Sequence, residues 1–263
     1  MPELTVTIVT FKTDLSKLKE AIESVLSEIN SVFVIVADND SGEDYFNALR
    51  HCLSNSYVNV LSTKRNGGYG FGHNYAERNC PPSSFHLVMN ADVLIHDGAL
   101  NKMIDYMKKN PSISILAPKV LNPDGSLQYL NKREPTLLDF ILRRIFIGPL
   151  REISFVKKRL NYFEMRDIGY DNNYDLNRIS GCFMLFDRTF FQKVNGFDEN
   201  FFMYFEDFDL CRRISDVGGR ISFISNVSIT HYWERGSSKD LKLFISLVKS
   251  MVIYFNKWGW KFW

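Results

Sequence analysis

Three acidic side chains lie among five aromatic residues in one short segment, FFMYFEDFDLCRRI, at residues 201–214. The acids are Glu206, Asp207 and Asp209. Because an unpaired carboxylate is costly to bury, acids in such an apolar segment need a specific task. A helix that begins at Glu206 would pair Asp209 with Arg213, and capping would explain one of the other two acids. A carboxylate among aromatic rings can act as a general base, since desolvation raises its pKa towards neutral pH.

Polar or glycine-rich segments follow four apolar stretches in the first half of the chain. They are TFK (10–12), DNDSGED (38–44), KRNGGYGFGHN (64–74) and NADV (90–93). Because ligands of open α/β sheets bind beyond the carboxyl ends of the strands, these segments are expected to share one site. Glycines let a ligand approach the backbone, and a helix N-terminus favours an anion. The glycine spacing fits neither a P-loop nor the dinucleotide fingerprint, so alone it is equally typical of a flexible turn.

Asn90 and Asp92 stand two residues apart, at the end of the fourth apolar stretch. On an extended backbone their side chains would point the same way. Oxygen ligands on one side suit a hard cation such as Mg²⁺ or Mn²⁺, which also binds phosphate oxygens. The alternative role for Asn90 and Asp92 would be to cap the next helix, but Asp97 is predicted to do so. His231 ends a short apolar stretch, and it becomes relevant only if the fold brings it to Asp92.

The elements that must position these residues alternate between strand and helix. Buried strands are predicted at 4–11, 32–37, 58–62 and 85–90, with helices after Asp14 and near 45–53 and 72–78. This order predicts a mostly parallel α/β sheet with helices on both faces. Later elements are predicted as a strand at 178–187, a helix at 206–217, a strand at 220–224 and a helix from 243 or 244 to 255.

The composition is that of an ordinary globular protein. The 263 residues are 45% hydrophobic and 24% charged, with a net charge of +2. So small a charge gives no global attraction to nucleic acid, and no nucleic-acid partner is expected. The sequence starts without a signal peptide and contains no run of eighteen apolar residues, which favours a cytoplasmic location.

Two segments combine basic and apolar residues. Residues 132–167 contain nine Lys or Arg against five Asp or Glu, and the chain ends in YFNKWGWKFW. One interpretation is an amphipathic insertion that packs as a flap, together with a solvated helix end. The other is a peripheral contact with the inner face of the plasma membrane, because Trp, Tyr and Lys favour the membrane interface. The sequence leaves both interpretations open.

The ordered set of motifs resembles glycosyltransferase family 2, the large inverting family with the GT-A fold that includes bacterial rhamnosyltransferases and galactofuranosyltransferases. The matching segments are VTIVTFK, VIVADNDSGED, RNGGYGFGHNYA, LVMNADVLI, ISGCFMLFDRTFFQKVNGFDENFFMYFEDFDLCRRISDVGGRI and THYWERGSS. Together they extend over residues 5–238, and the long block from 179 to 221 is the most specific. The resemblance implies a GT-A fold built on a Rossmann-like sheet.

The resemblance also divides the chain. It implies a nucleotide-sugar-binding half at 1–118 and an acceptor-binding, catalytic half of the same domain at 119–237, which carries the basic insertion 132–167. A C-terminal helix and aromatic tail would occupy 238–263. Eight residues are implied to bind the nucleotide sugar: Thr10, Phe11, Asp38, Asn66, Gly67, Gly68, Asn90 and Ala91. Of these, Asp38 would reach the pyrimidine edge.

The remaining roles concern the metal and the acceptor. Asp92 and His231 are implied to bind Mg²⁺ or Mn²⁺. Asn90 replaces the first acid of the family's metal motif, which leaves Asp92 as the main protein ligand. Asp207 would be the catalytic base, and Glu206 would orient the acceptor.

The implied reaction is one in-line displacement at the anomeric carbon, which inverts its configuration. The first choice of donor is dTDP-rhamnose, followed by UDP-linked sugars such as that of a galactofuranosyltransferase. The acceptor would be a glycan or a lipid-pyrophosphate-linked saccharide of bacterial cell-surface polysaccharide synthesis. A non-catalytic nucleotide-sugar-binding subunit is the alternative, and the oligomeric state is left open. A sugar nucleotidyltransferase is disfavoured, because TFKTDLSKLKE follows the first strand instead of a basic glycine-rich loop.

Overall fold

The first half of the chain alternates between strands and helices, as expected. A computed structural model describes residues 1–54, 56–145, 148–232 and 241–263. The first elements are β1 (Leu4–Thr10), α1 (Leu15–Leu26), β2 (Val32–Asp38), α2 (Glu43–Cys52), β3 (Val58–Ser62), α3 (Tyr69–Arg78) and β4 (Phe85–Met89). Strands β1, β2 and β4 are almost wholly buried, which explains their continuous apolar runs.

The second half mixes shorter strands with longer connections. Its elements are β5 (Val93–Ile95), α4 (Ala99–Lys109), β6 (Ile113–Leu121), α5 (Leu137–Ile145), a 3₁₀ turn (Gly148–Glu152), α6 (Ser154–Phe163), β7 (Tyr174–Asp175), β8 (Phe183–Asp187), α7 (Arg188–Lys193), α8 (Glu206–Asp216), β9 (Arg220–His231) and α9 (Leu241–Trp258). The predicted strand at 178–187 begins only at Phe183. Strand β9 continues well beyond the predicted 220–224 and includes His231.

Nine strands in the described part of the chain form one sheet in the order β3-β2-β1-β4-β8-β6-β9-β5, with β7 beside β9. Strands β3, β2, β1 and β4 are all parallel, whereas β8 runs antiparallel between β4 and β6. Leu87 and Met89 of β4 pack with α1 and α4, and Val88 packs with α8 on the opposite face. The α/β architecture with helices on both faces is therefore confirmed, and its second half is mixed.

The predicted helix cap is confirmed at α1 and is wrong at α4. The Asp14 carboxylate accepts hydrogen bonds from the amides of Ser16 and Lys17 at the start of α1. The prediction that Asp97 caps α4 is wrong, because Gly98 occupies that position and makes no side-chain cap. Instead, the Glu28 carboxylate accepts hydrogen bonds from the amides that begin α4, at 2.6 and 3.2 Å. A side chain from the loop after α1 therefore caps a helix that begins seventy residues later in the chain.

The basic insertion folds into α5 and α6, and both pack on the C-terminal segment. Phe140 of α5 lies 4.6 Å from Phe205, between ring centroids, in a cluster that also includes Tyr254 and Phe255 of α9. The carbonyl of Lys261 accepts a hydrogen bond from the first amide of α5 at 2.8 Å. Insertion and tail thus support the aromatic segment that leads into α8. None of the helices within the described ranges is long and apolar enough to cross a membrane.

Candidate active site

The carboxyl ends of β1 and β2 bring two of the predicted nucleotide-binding residues together. Thr10 and Asp38 are paired in the parallel register, and the Thr10 hydroxyl donates to Asp38 Oδ1 at 3.4 Å. Asp38 is only 1% exposed, and its carboxylate accepts hydrogen bonds from the amide and the hydroxyl of Ser41. Phe11, by contrast, is half exposed at the same edge. Asp38 therefore holds the turn after β2 in place, while Phe11 offers an open aromatic surface.

The glycine-rich loop before α3 packs closely against the segment that precedes the acids. Gly68 adopts a φ of +95°, and a Cβ atom there would lie 2.0 Å from the carbonyl oxygen of Phe202. The same carbonyl accepts a hydrogen bond from the Tyr69 amide at 2.9 Å. Asn66 Oδ1 accepts from the Gly68 amide at 3.1 Å, and Asn39 donates to the Gly68 carbonyl at 2.8 Å. Gly68 is thus required by protein packing, whatever ligand the loop binds.

Gly67 leaves room for the ring of Phe71. A Cβ atom at this position would lie 2.3 Å from the ring of Phe71, which is in the first turn of α3. The guanidinium of Arg65 lies 4.2 Å from the centroid of that ring, in cation–π geometry. Arg65 is an exposed cation beside the loop, and sequence reasoning did not single it out.

Asn90, Ala91 and Asp92 form a turn between β4 and β5, so the expectation of an extended backbone here is wrong. The side chains nevertheless converge, because β9 runs beside β5 and pairs His231 with Val93. Asn90 Nδ2 and Asp92 Oδ1 each lie 3.4 Å from His231 Nε2. Ala91 is buried in the turn. The fold thus brings the candidate metal ligands together by strand pairing.

Gln128 orients His231, and no motif in the sequence pointed to it. Its Nε2 donates to the His231 carbonyl at 2.7 Å, and its Oε1 lies 3.0 Å from His231 Nδ1. Because the amide nitrogen is already the donor, Oε1 accepts from Nδ1–H, and Nε2 is the ring nitrogen that faces Asp92. A hydrogen bond of this kind at the far ring nitrogen is typical of histidines that bind metals.

The side chains at this turn fit a divalent cation that is shared with a ligand. Within the described ranges, no group of three or more His, Cys, Asp or Glu side chains could hold a metal ion. Asp92 and His231 supply two donor atoms on one side. Mg²⁺ is commonly held by one or two carboxylates together with phosphate oxygens and water. The donor set therefore suits Mg²⁺ or Mn²⁺ only where phosphate completes the coordination.

Asp207 stands at the start of α8, held by backbone amides. The Gly181 amide donates to its Oδ2 and the Phe208 amide to its Oδ1, both at 2.8 Å. Burial raises the pKa of the Asp207 carboxyl to about 6, against the opposing effect of these hydrogen bonds and of the Lys132 charge. Phe205, just before the helix, has a φ of +66°. Left-handed backbone at a non-glycine residue is uncommon and tends to occur at functional sites.

Glu206 is the more deeply buried of the adjacent pair. Its side chain is 6% exposed, and among the described residues its Oε2 atom has no hydrogen-bond partner. Burial, and after it the charge of Asp207, raises the pKa of the Glu206 carboxyl well above its usual range. Burial and the short distance between the two carboxyls therefore disfavour ionisation of both at once.

Asp209 is structural, as the sequence indicated. It accepts a hydrogen bond from Arg213 Nε at 2.7 Å, which confirms the predicted pair one turn apart. It also accepts from Trp258 Nε1 and lies near Lys257 Nζ, both at 2.8 Å. Asp209 therefore joins α8 to α9 and is fully satisfied by protein groups.

The Asn90–Asp92 turn and Asp207 both form hydrogen bonds with the chain segment that enters β8. The Asn90 amide donates to the carbonyl of Cys182 at 2.9 Å, and the preceding residue, Gly181, donates to Asp207. Burial, and after it the charges of Glu206, Cys182, Asp207 and Asp92, raise the pKa of Tyr69.

Lys132 is a second residue that sequence reasoning did not assign to the site. It lies in the basic insertion, yet it is only 4% exposed, and its ammonium donates to the carbonyl of Tyr129. Burial lowers the pKa of Lys132 to about 7, and the charge of Glu164 opposes this effect. A buried ammonium whose charge acts on Asp207 is a feature that only the tertiary fold reveals.

Comparisons with known proteins identify the family. The sequence profile of the family described as "Glycosyltransferase like family 2" matches residues 2–248. The chain is 27% identical over 224 residues to the N-acetylglucosaminyl-diphospho-decaprenol L-rhamnosyltransferase of Mycobacterium tuberculosis, which covers 80% of this chain and 69% of the relative. It is 26% identical over 224 residues to rhamnosyltransferase WbbL of Escherichia coli strain K12, with coverages of 82% and 78%.

Solved structures give the same fold. The chain is similar to GalNAc-T7, whose crystal structure contains UDP, GalNAc and Mn²⁺, with a TM-score of 0.69 and 16% identity. That alignment covers 98% of this chain and 48% of GalNAc-T7, so the chain spans about half of that protein. The family match extends over nearly the whole chain. The chain therefore belongs to the family 2-like glycosyltransferases and has the GT-A fold.

Proposed function

We propose that this protein transfers a sugar, with inversion, from a nucleotide sugar to a hydroxyl group of a glycan or lipid-linked saccharide. The observation that carries the proposal is the pair of adjacent carboxyls at the start of α8. One of them, Asp207, is held by two amides and has a pKa of about 6. A general base works best when its pKa lies close to the working pH.

The reaction would be a single displacement. Asp207 takes the proton of the acceptor hydroxyl as that oxygen bonds to the anomeric carbon. The bond from this carbon to the nucleoside diphosphate breaks on the opposite side, which inverts the configuration. The raised pKa of Glu206 and its unpartnered Oε2 support a role in orienting the acceptor through a hydrogen bond. The surrounding aromatic cluster would keep bulk water from competing with the acceptor.

Donor binding is proposed at the carboxyl edge of the parallel strands. The residues are Thr10, Phe11, Asp38, Asn66, Gly67, Gly68, Asn90 and Ala91. Asp92 and His231 would hold Mg²⁺ or Mn²⁺ together with the donor diphosphate, and Gln128 would keep His231 in the required orientation. When bound, the cation would neutralise charge on the leaving diphosphate.

The first choice of donor is dTDP-rhamnose, because two relatives are named rhamnosyltransferases. A UDP-linked sugar is the next choice. The name of the mycobacterial relative includes a diphospho-decaprenol lipid, which supports a lipid-pyrophosphate-linked acceptor here too. We place the reaction in bacterial cell-surface polysaccharide synthesis, in the cytoplasm at the inner face of the plasma membrane.

The outer face of α9 supports peripheral membrane contact with such an acceptor. Leu241, Ile245, Val248 and Val252 form an exposed apolar stripe at helical spacing. The tail that follows exposes Trp260, Phe262 and Trp263. Residues 241–263 contain four lysines and no acidic residue, which suits an anionic lipid surface.

Flotation with vesicles that contain anionic lipid tests this contact. Ile245→Ser combined with Val248→Ser is expected to reduce binding, whereas Tyr57→Ser, an exposed aromatic in the β3 region, is expected to leave it unchanged. Equal flotation of all three proteins, or of none, would contradict the membrane contact.

The function itself is tested by donor binding and transfer across a panel of nucleotide sugars, with Mg²⁺, with Mn²⁺ and with chelator. Asp207→Asn is expected to keep donor binding and to lose about 10²–10⁴-fold in transfer rate. The matched control, Asp216→Asn, changes an exposed carboxylate on the same helix and should be neutral. Full activity of Asp207→Asn would overturn the base assignment. Donor binding without any transfer would favour the non-catalytic nucleotide-sugar-binding subunit, and failure to bind any donor would contradict both functions.

A further inference from the structure

Tyr69 is connected to the proposed base, Asp207, through Gly181, and the reaction described above does not explain this connection. It is the first residue of α3, directly after the glycine-rich loop. Its hydroxyl donates a hydrogen bond to the Gly181 carbonyl at 2.6 Å. The amide of the same glycine donates to Asp207 Oδ2 at 2.8 Å. One residue, Gly181, is therefore held by the tyrosine on one side and holds the carboxylate on the other.

The three residues touch with no space to spare. A Cβ atom on Gly181 would lie 3.3 Å from Asp207 Cβ and 3.4 Å from Tyr69 Cε1. The first distance is shorter than most packing contacts of a real Cβ and the second is at the short limit of ordinary contact, so the absence of a side chain lets Asp207 and Tyr69 pack close to this residue. Gly181 has no positive φ that would explain it in another way. Close approach of its neighbours is therefore the reason for glycine at this position.

Tyr69 itself is fixed along its whole length. Its amide donates to the Phe202 carbonyl at 2.9 Å, and its ring meets His73 and Phe197 edge-on, at centroid distances of 4.4 and 5.8 Å. The hydroxyl end is bound to Gly181. A side chain fixed in this way can impose its geometry on the flexible glycine that it contacts.

We propose that Tyr69 is a positioning residue, which fixes Gly181 so that the Gly181 amide stays directed at Asp207 and sets the acidity of the base. The assignment of Asp207 as base rests on the proposed function, whereas the hydrogen bond between Tyr69 and Gly181 does not. Tyr69 would act through its hydrogen bond and not through charge, because burial keeps its own hydroxyl neutral. It would link the loop proposed to bind the donor to the group that activates the acceptor.

Several other titratable groups act on or lie near Asp207. Glu206 and Cys211 come from α8, Lys132 from the insertion, Cys182 from the segment before β8 and Tyr69 from α3. Burial raises the pKa of Asp207, while the amides of Gly181 and Phe208 and the Lys132 charge lower it. Of the two amides, only that of Gly181 depends on a contact with Tyr69.

The experiment is a pH titration of aspartate side-chain carboxyl ¹³C signals by NMR, on the full chain without ligand. Asp207→Asn identifies the signal. Tyr69→Phe removes only the hydroxyl, and it is expected to raise the pKa of Asp207 by about half a unit to one unit. Gly181→Ala perturbs the same contact from the other side and should also raise it. The control is Tyr170→Phe, which removes a buried hydroxyl that donates to the Glu164 carbonyl at 3.0 Å.

The outcomes separate clearly. A higher pKa in Tyr69→Phe and Gly181→Ala, with no change in Tyr170→Phe, supports the proposal. Because both changes act on one contact, the double variant should show less than the sum of the two shifts. An unchanged Asp207 pKa in either variant, or an equal shift in the control, overturns it. If Tyr69→Phe fails to fold, Gly181→Ala decides. The titration needs no substrate, so failure to find a donor would not affect it.

Discussion

Replacing the Asp207 carboxylate by an amide is expected to stabilise the protein at neutral pH while it removes the proposed base. The folded chain holds this group in a setting that disfavours its charge, because burial raises its pKa to about 6 from an ordinary value of 3.8. Ionising Asp207 in the folded state therefore costs free energy that the unfolded chain does not lose. Asn keeps a similar shape and an oxygen that can accept from the Gly181 amide, but its nitrogen cannot accept from the Phe208 amide, and the loss of that hydrogen bond offsets part of the gain.

The size of the effect follows from the two pKa values. They differ by about two units, and each unit corresponds to about 1.4 kcal/mol. The limit is therefore about 3 kcal/mol, and partial exposure of the side chain together with the lost Phe208 hydrogen bond reduces the expected gain to about 1–2 kcal/mol. Below about pH 4 the group is protonated in both states, so the gain is absent. It builds up between about pH 4 and 6 and is complete above pH 6.

Urea unfolding of wild type and Asp207→Asn at several pH values measures this gain. The control is Asp209→Asn, two residues along the same helix. Asp209 accepts from Arg213 and Trp258 and lies beside Lys257, so its loss should destabilise the protein by about 3–5 kcal/mol at pH 7. If Asp207→Asn were no more stable than wild type at pH 7.5, or if its gain did not change with pH, the carboxylate would not be in the disfavoured state described.

Three further predictions concern activity, packing and metal. The pH profile of kcat/KM should fall on the acid side with a midpoint near pH 6, as Asp207 is protonated; a flat profile down to pH 5 would contradict this. Gly68→Ala should lower the unfolding free energy by about 1–3 kcal/mol more than Gly42→Ala in urea titrations. Both glycines have positive φ, but a Cβ meets a backbone carbonyl at 2.0 Å only at Gly68. Asp92→Asn should weaken Mn²⁺-dependent donor binding in calorimetry, and exposed Asp97→Asn should not; equal affinities would exclude Asp92 as a ligand.

The elements around the site could be predicted because they depend on neighbours in the sequence. The continuous apolar runs of β1, β2 and β4 indicated buried parallel strands, and the polar segments after them indicated the edge where Thr10 and Asp38 meet. The start of α8 and its Asp209–Arg213 pair followed from helix geometry alone. The order of motifs was enough to indicate the family that the comparisons confirm.

The contacts that complete the site could not be predicted, because they join distant parts of the chain. Gln128 orients His231 across 103 positions, and Tyr69 reaches Gly181 across 112. Both contacts arise where β8 and β9 join the sheet, and the order of strands in a sheet cannot be predicted from a local sequence pattern. The capping of α4 by Glu28, in place of Asp97, has the same cause.

Residue types and their local spacing thus indicated which groups could do chemistry, namely the acids of α8 and the Asn90–Asp92 turn. Only the folded chain determined the surroundings of those groups, namely the burial that raises the pKa values of Asp207 and Glu206, and the orientation of His231 towards Asp92. The physical reason is that a pKa and a ligand geometry depend on burial and on charges within a few ångströms. Lys132, Gly181 and Gln128, which supply those charges and hydrogen bonds, lie far away in sequence.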